Sequence, residues 1–294
     1  MTKKVVLAGG TGFIGNYFQQ KFEALGYEVM VIARKAPAIT WNDHERMVHA
    51  LENAEMVINL AGKSVNCRYH EQNKKEILQS RTGTTKLLGD AVKACEIPPK
   101  LWVNASTATI YRHADDRPMT ETDGEIGTGF SVDVATKWES AFFQCTVPKT
   151  RQVALRIAIV LGPDGGVITP YKNLVKFGLG GVQGDGQQMF SWIHVEDLFQ
   201  IILFLNEKKE MEGVFNCSSP NPIPNHHLMN ALREQLNRPV GLPAPAPLLE
   251  LGTLFLRTET ELILKSRWVI PEKLLDAGYT FRFPTIEQTL KDIL

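Results

Sequence analysis

Val5-Val6-Leu7-Ala8-Gly9-Gly10-Thr11-Gly12-Phe13-Ile14-Gly15 is the stretch that decides the fold. Apolar residues run straight into a glycine cluster, and a helical repeat follows through Ile14, Phe18, Phe22 and Leu25. That order has a physical cause. A buried strand ends, the chain turns where side chains would obstruct it, and a helix begins with its free N–H groups aimed at a phosphate. The glycines fit two registers: Gly10, Gly12 and Gly15 give G-x-G-x-x-G, and Gly9, Gly12 and Gly15 give G-x-x-G-x-x-G. Glycine is common in turns, so the motif alone is weak; the strand before it and the helix after it point to nucleotide binding.

Working outward, the first half alternates strands and helices. Gly26 suits a helix C-cap, Tyr27 to Ala33 reads as a second strand and Met56 to Ala61 as a third. A long helical pattern runs from Glu71 to Cys95 and is stopped by Pro98-Pro99. Leu101 to Ala105 is the next strand, Phe130 to Gln144 the next helix, and Val153 to Leu161 a buried strand. This βαβ rhythm predicts an α/β fold, a doubly wound parallel sheet with right-handed crossovers. Beyond Gly162 the texture changes, with Gly165-Gly166, Gly178 to Gly186 and the proline-rich Pro239 to Pro247 separating shorter elements. Helical patterns return at Val195–Leu205, His226–Leu236, Leu248–Leu264 and Ile286–Leu294. The predicted division is a nucleotide-binding domain over 1–164 and a smaller C-terminal α/β substrate lobe over 165–294, some of whose segments return to the sheet.

Composition narrows the class. The 294 residues can bury a sizeable core, and 32 basic residues balance 32 acidic ones, so nothing suggests a surface for nucleic acid or anionic lipid. Cys67, Cys95, Cys145 and Cys217 are scattered without metal-ligand spacing and read as reduced thiols. No apolar run approaches the ~18 residues of a membrane span. The expectation is a cytoplasmic protein with a small-molecule substrate, without a bound metal, nucleic acid or membrane.

The end of the second strand speaks to the cofactor. An acidic residue there would accept from the ribose 2′-hydroxyl of NAD, but the sequence has Ala33-Arg34-Lys35. Two cations suit a 2′-phosphate, which a guanidinium grips with two hydrogen bonds, so the cofactor expected is NADP. Asn59-Leu60-Ala61-Gly62 ends the next strand with an amide and small residues that permit close approach to the backbone.

Together these residues resemble the extended short-chain dehydrogenase/reductase superfamily, of epimerase/dehydratase type, and within it an epimerase-like branch with its own C-terminal domain. The resemblance spans nearly the whole chain. It rests on Gly9–Gly15, Ala33-Arg34, Asn59–Gly62, Lys75-Glu76-Ile77-Leu78-Gln79-Ser80-Arg81, Trp138-Glu139 and Arg156 with Val160-Leu161-Gly162. Trp192-Ile193-His194-Val195-Glu196-Asp197-Leu198, Val269-Ile270-Pro271 and Gly278-Tyr279 with Phe281 and Phe283-Pro284 complete it. It implies a Rossmann-type sheet, and NADP held at the diphosphate by Gly9, Thr11, Gly12, Phe13 and Ile14. Ala33 and Arg34 would meet the 2′-phosphate, and Asn59, Leu60 and Ala61 the adenine-ribose side. Lys75 and Ser80 would reach in from the long helix, and Arg156 from the strand before Gly162. It also implies a homodimer through the two long helices.

The chemistry departs from the superfamily pattern at one place. That pattern pairs a Ser or Thr after a strand with Y-x-x-x-K on the next helix, the lysine bringing the phenol into range for proton transfer. Thr107 fits the hydroxyl position, with Ser106 beside it, and Lys137 fits the lysine, which also binds the nicotinamide ribose. Four residues before Lys137 stands Asp133, not tyrosine. A carboxylate beside an ammonium is a poor acid at neutral pH, although it can act as a base, and the pair can equally be an i, i+4 ion pair. Tyr111, in a loop expected to overhang the cofactor, and Arg68, Tyr69 and His70 are further candidates for the proton relay. Two functions follow: an NADP-dependent oxidoreductase or epimerase, or a catalytically degenerate NADP(H)-binding sensor or interaction protein.

Overall fold

The computed structural model describes residues 2–163, 165–245 and 264–294. Seven strands form one sheet in which every pairing is parallel. They are β1 (Lys4–Ala8), β2 (Glu28–Ala33), β3 (Ile39–Thr40), β4 (Met56–Asn59), β5 (Leu101–Thr107), β6 (Arg151–Ile157) and β11 (Gly213–Cys217), in the spatial order β11-β6-β5-β4-β1-β2-β3. The chain order reverses at β1, and in an open sheet a crevice for ligands opens at that point, beyond the carboxyl ends of the strands.

Helices cover both faces. On one side α1 (Phe13–Ala24) and α6 (Val195–Glu207) bring Phe18, Phe22 and Phe199 onto Val5, Leu7, Ile58 and Val103. On the other, α2 (His44–Leu51), α3 (Glu71–Ala94) and α4 (Phe130–Phe143) bring Met47, Leu51, Leu88, Val92 and Phe142 onto Val6, Val57, Trp102 and Ala154. Alternate residues of β1 serve opposite cores, as period-two side-chain alternation requires. The end of α1 follows its sequence signal. Gly26 has φ +78°, its N–H donates to the Glu23 carbonyl and that of Tyr27 to the Phe22 carbonyl, the paired bonds of a glycine-terminated helix.

The expected strand from Val153 to Leu161 is two strands. The Ala158 N–H makes the last bond of the β6–β11 ladder, to the Cys217 carbonyl 3.0 Å away; the next N–H, of Ile159, donates to the Ser191 carbonyl, and the chain passes from β6 to β7 (Ile159–Gly162). There β7 joins a second sheet with β8 (Gly165–Gly166) and β10 (Trp192–His194). The lobe core of Leu161, Ile168, Trp192, Met229, Leu232 and Leu290 is built from these strands with α5 (Ile168–Lys176), α7 (Asn225–Gln235) and α9 (Ile286–Ile293). Between α7 and α9 lies α8 (Glu272–Asp276), and β9 (Met189–Phe190) pairs with β12 (Ile223–Pro224). The helical expectation over 248–264 lies outside the described residues apart from Leu264.

The Trp192–Leu198 motif is architectural. Asp197 sits buried at the start of α6 and accepts from the backbone N–H groups of Arg282 and Phe283 and from the Tyr279 hydroxyl. It thereby fastens the C-terminal Gly278–Pro284 stretch to the sheet domain. His194 caps α6 through Nδ1, which accepts from the Glu196 N–H, and its Nε2 faces Asp292 at 3.1 Å.

Candidate active site

The parallel register aligns the carboxyl ends of the strands. Ala8 pairs with Ile32 and with Asn59, Asn59 with Asn104, and Thr107 with Ile157. The glycine turn therefore opens on the same edge as Arg34, the Asn59–Gly62 segment and Thr107.

At the turn, Gly9 has φ +80°, and a Cβ there would lie 2.7 Å from the Ala61 backbone. Only a residue without a side chain lets the loops after β1 and β4 approach this closely. Gly12 is the N-cap of α1 and offers no side-chain cap, and no acidic residue follows in the first turn. The first-turn N–H groups stay available to an anion, so the residues present fit a dinucleotide phosphate. The Phe13 ring packs on the glycine hairpin of β7 and β8, where a Cβ at Gly165 would lie 2.6 Å from it. Phe13 thus joins the turn to the lobe, and Ile14 packs against the core.

Ala33 is buried at the end of β2 while Arg34 and Lys35 are exposed, and among the described residues Arg34 has no ion-pair partner. Asn59 is fully buried and its side chain is committed: the amide donates to Asn104 Oδ1 at 2.7 Å and Thr85 Oγ1 at 3.1 Å, and its oxygen accepts from the Ala61 N–H. Trp138 also donates to Thr85 Oγ1. Asn59 therefore holds the strand end rigid, and the Leu60 N–H, donating to the Ala8 carbonyl at 2.7 Å, ties this segment to β1.

Two residues were expected to reach in from the long helix. Lys75 is exposed, and Ser80 is occupied, its hydroxyl donating to the Ile77 carbonyl and accepting from the Lys63 N–H. Arg81, one position on, reaches under Gly62, donates Nη1 to the carbonyls of Lys63 and Ile77 and lies over the Trp138 ring. Burial pulls its guanidinium down to about 10, with nearby Tyr69 opposing, and no carboxylate among the described residues pairs with it. Glu76 holds Lys63 at 2.5 Å. The signal for Arg81 was Gly62, whose missing side chain makes room for a guanidinium.

The hydroxyl pair divides cleanly. Ser106 is buried and donates to Glu139 Oε1 at 2.6 Å, while Thr107 accepts from the Thr109 N–H at 3.2 Å. Neighbouring strand residues face opposite ways. Thr107, used only as an acceptor, keeps its O–H to give to a ligand.

A part-buried network at the same edge, beside β6, engages two more of the expected residues. Arg156 pairs through Nε and Nη2 with both Glu139 oxygens, at 2.9 and 2.8 Å. Burial pulls this guanidinium down, but the Glu139 carboxylate overrides it and holds it above its ordinary value. Tyr111 does not overhang the crevice; it is 1% exposed, accepts from Arg156 Nη1 at 2.9 Å and donates to Asn216 Oδ1 at 2.8 Å. Burial raises its phenol further, with Arg156 opposing. Ser106, Arg156 and Asn216 are register partners across β5, β6 and β11, so this network is built into the ladder.

Asp133 and Lys137 are both exposed on α4, and no ion pair joins them among the described residues. Of the loop candidates, Tyr69 packs its ring 4.9 Å from that of Phe130 at the start of α4, His70 caps α3 through Nδ1, and Arg68 gives its carbonyl to Asn73. No group of His, Cys, Asp and Glu among the described residues could hold a metal ion, and no helix there is long and apolar enough to cross a membrane.

The family model described as the NAD dependent epimerase/dehydratase family matches residues 5–218. The chain belongs to this family. Residues 244–293 match a second model, a domain of unknown function named DUF1731. The human epimerase family protein SDR39U1 is 33% identical over 296 residues, covering 99% of both chains. A crystal structure of human SDR39U1 (isoform 2) with NADPH superposes with a TM-score of 0.89 at 32% identity, covering 99% of this chain and 98% of that one. A nucleoside-diphosphate sugar epimerase from Corynebacterium glutamicum gives 0.81 at 25% identity, covering 100% of this chain and 58% of that one. The Rossmann-type architecture expected from the opening turn is that of these relatives.

Proposed function

We propose that the chain is an NADP(H)-dependent oxidoreductase or epimerase of the extended short-chain dehydrogenase type, acting on a small polar, sugar-nucleotide-like substrate. The observation that carries the reading is Arg34, an exposed cation without an ion-pair partner among the described residues, at the end of β2 where an NAD-selective site needs an acid. The human relative solved with NADPH supports the same choice. Gly9, Thr11 and Gly12 cradle the diphosphate against α1, the Leu60–Ala61 backbone lines the adenosine side, and Arg81 supplies a second cation, part-buried where Arg34 is exposed.

When bound, the nicotinamide supplies or accepts a hydride. Thr107 donates its O–H to the substrate oxygen and Lys137 orients the ribose. Asp133 stands where the superfamily carries its tyrosine and serves as a base at most. In a screen of carbonyl substrates followed by nicotinamide absorbance, Thr107→Ala should lose turnover by roughly 10²-fold or more while still binding NADPH, and Asp133→Asn should retain it. Undiminished turnover in Thr107→Ala contradicts the assignment.

A second reading, a cofactor-binding sensor without turnover, is favoured by the burial of Tyr111 and by Asp133 itself. Tight NADPH binding with no turnover across the panel supports it. We carry two further parts of the reading as proposals: the division at residue 164 and a homodimer through α3 and α4, whose surfaces expose Leu87 and Phe143. The dimer is checked by sedimentation.

A further inference from the structure

An exposed apolar ribbon lies on the lobe. Gly178, with φ +75°, follows the end of α5, and the chain then runs beside residues 240–244. The Leu242 N–H donates to the Gly178 carbonyl at 2.8 Å, and the Leu242 carbonyl accepts from the Gly181 N–H at 3.1 Å. The Ala244 N–H donates to the Val182 carbonyl at 2.8 Å, and Gln183 pairs with Ala244 in parallel. Gly241 permits the close contact, since a Cβ there would lie 2.5 Å from the Gly180 backbone. Arg233 Nη1 ties the Gly180 carbonyl to α7 at 2.7 Å. This register places Val240 and Leu242 beside Phe177 and Leu179.

All four of these side chains meet solvent. Phe177 is 80% exposed and Val240 72%, and Leu242 and Leu179 are exposed as well. Single exposed apolar residues are ordinary, whereas a group of them on one support marks an interaction surface. The charges around the ribbon are one-sided. Lys172 and Lys176 lie one turn apart on α5, Lys176 directly before Phe177, and Arg238 stands two residues before Val240. None of the three has an ion-pair partner among the described residues. Over residues 172–186 and 233–245 the acids are Asp185 and Glu234 alone. The chain as a whole carries no net charge, but this surface is positive.

We propose that this ribbon seats the protein on an anionic lipid surface. Phe177, Leu179, Val240 and Leu242 enter the boundary between headgroups and acyl chains, and Lys172, Lys176 and Arg238 meet the lipid phosphates. Charge decides between this occupant and a second copy of the chain, because two copies joined through the same face would bring like cations together. Shape agrees: the four side chains project from a ribbon and line neither of the molecule's described cavities, which suits a fluid apolar phase better than a moulded partner. No helix among the described residues is long and apolar enough to cross a bilayer, so the contact is with its surface. The inference stands apart from the cofactor site.

Vesicle co-sedimentation of the full-length protein tests this without turnover. Vesicles of phosphatidylcholine alone are compared with vesicles that also contain phosphatidylglycerol. The mixed vesicles should bind the protein at least about ten-fold more tightly than the neutral ones, and added salt should weaken that binding. The joint substitution of Phe177→Gln and Leu242→Gln should weaken binding to mixed vesicles by about ten-fold or more, and Lys176→Glu by about ten-fold. All three residues are exposed, so thermal unfolding should be unchanged. No binding to mixed vesicles, or equal binding to both kinds, overturns the proposal on the wild type alone, whatever the variants do. Undiminished binding by the folded joint variant overturns it too. Self-association in vesicle-free solution that disappears in the joint variant would assign the ribbon to a second copy instead, and so contradict it.

Discussion

Two groups of cations stand at the carboxyl edge of the same sheet and have opposite surroundings. Beside β5, β6 and β11, Arg156 is part-buried with a carboxylate on two of its nitrogens and a phenol on the third. Beside β1, β2 and β4, Arg34 is exposed and Arg81 part-buried, and neither has a carboxylate partner among the described residues. The first group is complete without a ligand; the second holds positive charge around a phosphate-sized turn. A matched ion pair fixes architecture, whereas unmatched cations on the same edge as a helix N-terminus leave work for an anion.

Breaking the matched group should produce the largest effect. Arg156→Ala strands the Glu139 carboxylate and should cost about 3–5 kcal/mol of unfolding free energy, read from urea denaturation. A loss under 1 kcal/mol would show the network to be dispensable. Gly9→Ala comes next: at φ +80° and 2.7 Å from the Ala61 backbone, the methyl group must push the two loops apart. It should cost about 1–3 kcal/mol and weaken NADPH binding at least ten-fold, both visible in thermal unfolding with and without cofactor.

A smaller effect sharpens the contrast through pH. Burial pulls the His194 imidazole below its ordinary value, against the opposing pull of Asp292. The unfolded chain therefore binds a proton that the folded one refuses, and stability should fall as pH drops below the ordinary histidine value of about 6.5. His194→Asn keeps a helix-capping side chain and removes the titration, so its stability between pH 7 and about 5.5 should slope less than that of the wild type. Equal slopes would place the acid sensitivity elsewhere.

How much of this was legible depended on the range of the cause. The glycine turn could be read because strand, turn and helix are adjacent in sequence and each imposes a backbone demand. Arg34 was legible for the same reason, since its place at the end of β2 needs no tertiary information. Tyr111 was misplaced because its partner Asn216 lies 105 residues away, and nothing local announces it. The strand from Val153 to Leu161 looked continuous because every residue suits a strand; the break after Ala158 comes where the chain exchanges β11 for β10 as its partner, and both lie far on in the sequence. On α3 the motif is legible, but the place of Arg81 under Gly62 is not, because it depends on how the helix packs against the loop after β4.

Titration of the wild type and Arg34→Ala with NADPH and NADH, followed by nicotinamide fluorescence, tests the central claim most directly. The account predicts saturable binding with NADPH clearly preferred, and a loss of that preference by roughly ten-fold or more in Arg34→Ala, with unfolding free energy unchanged within about 0.5 kcal/mol. Absence of binding by either nucleotide, or an undiminished preference in the variant, would contradict it.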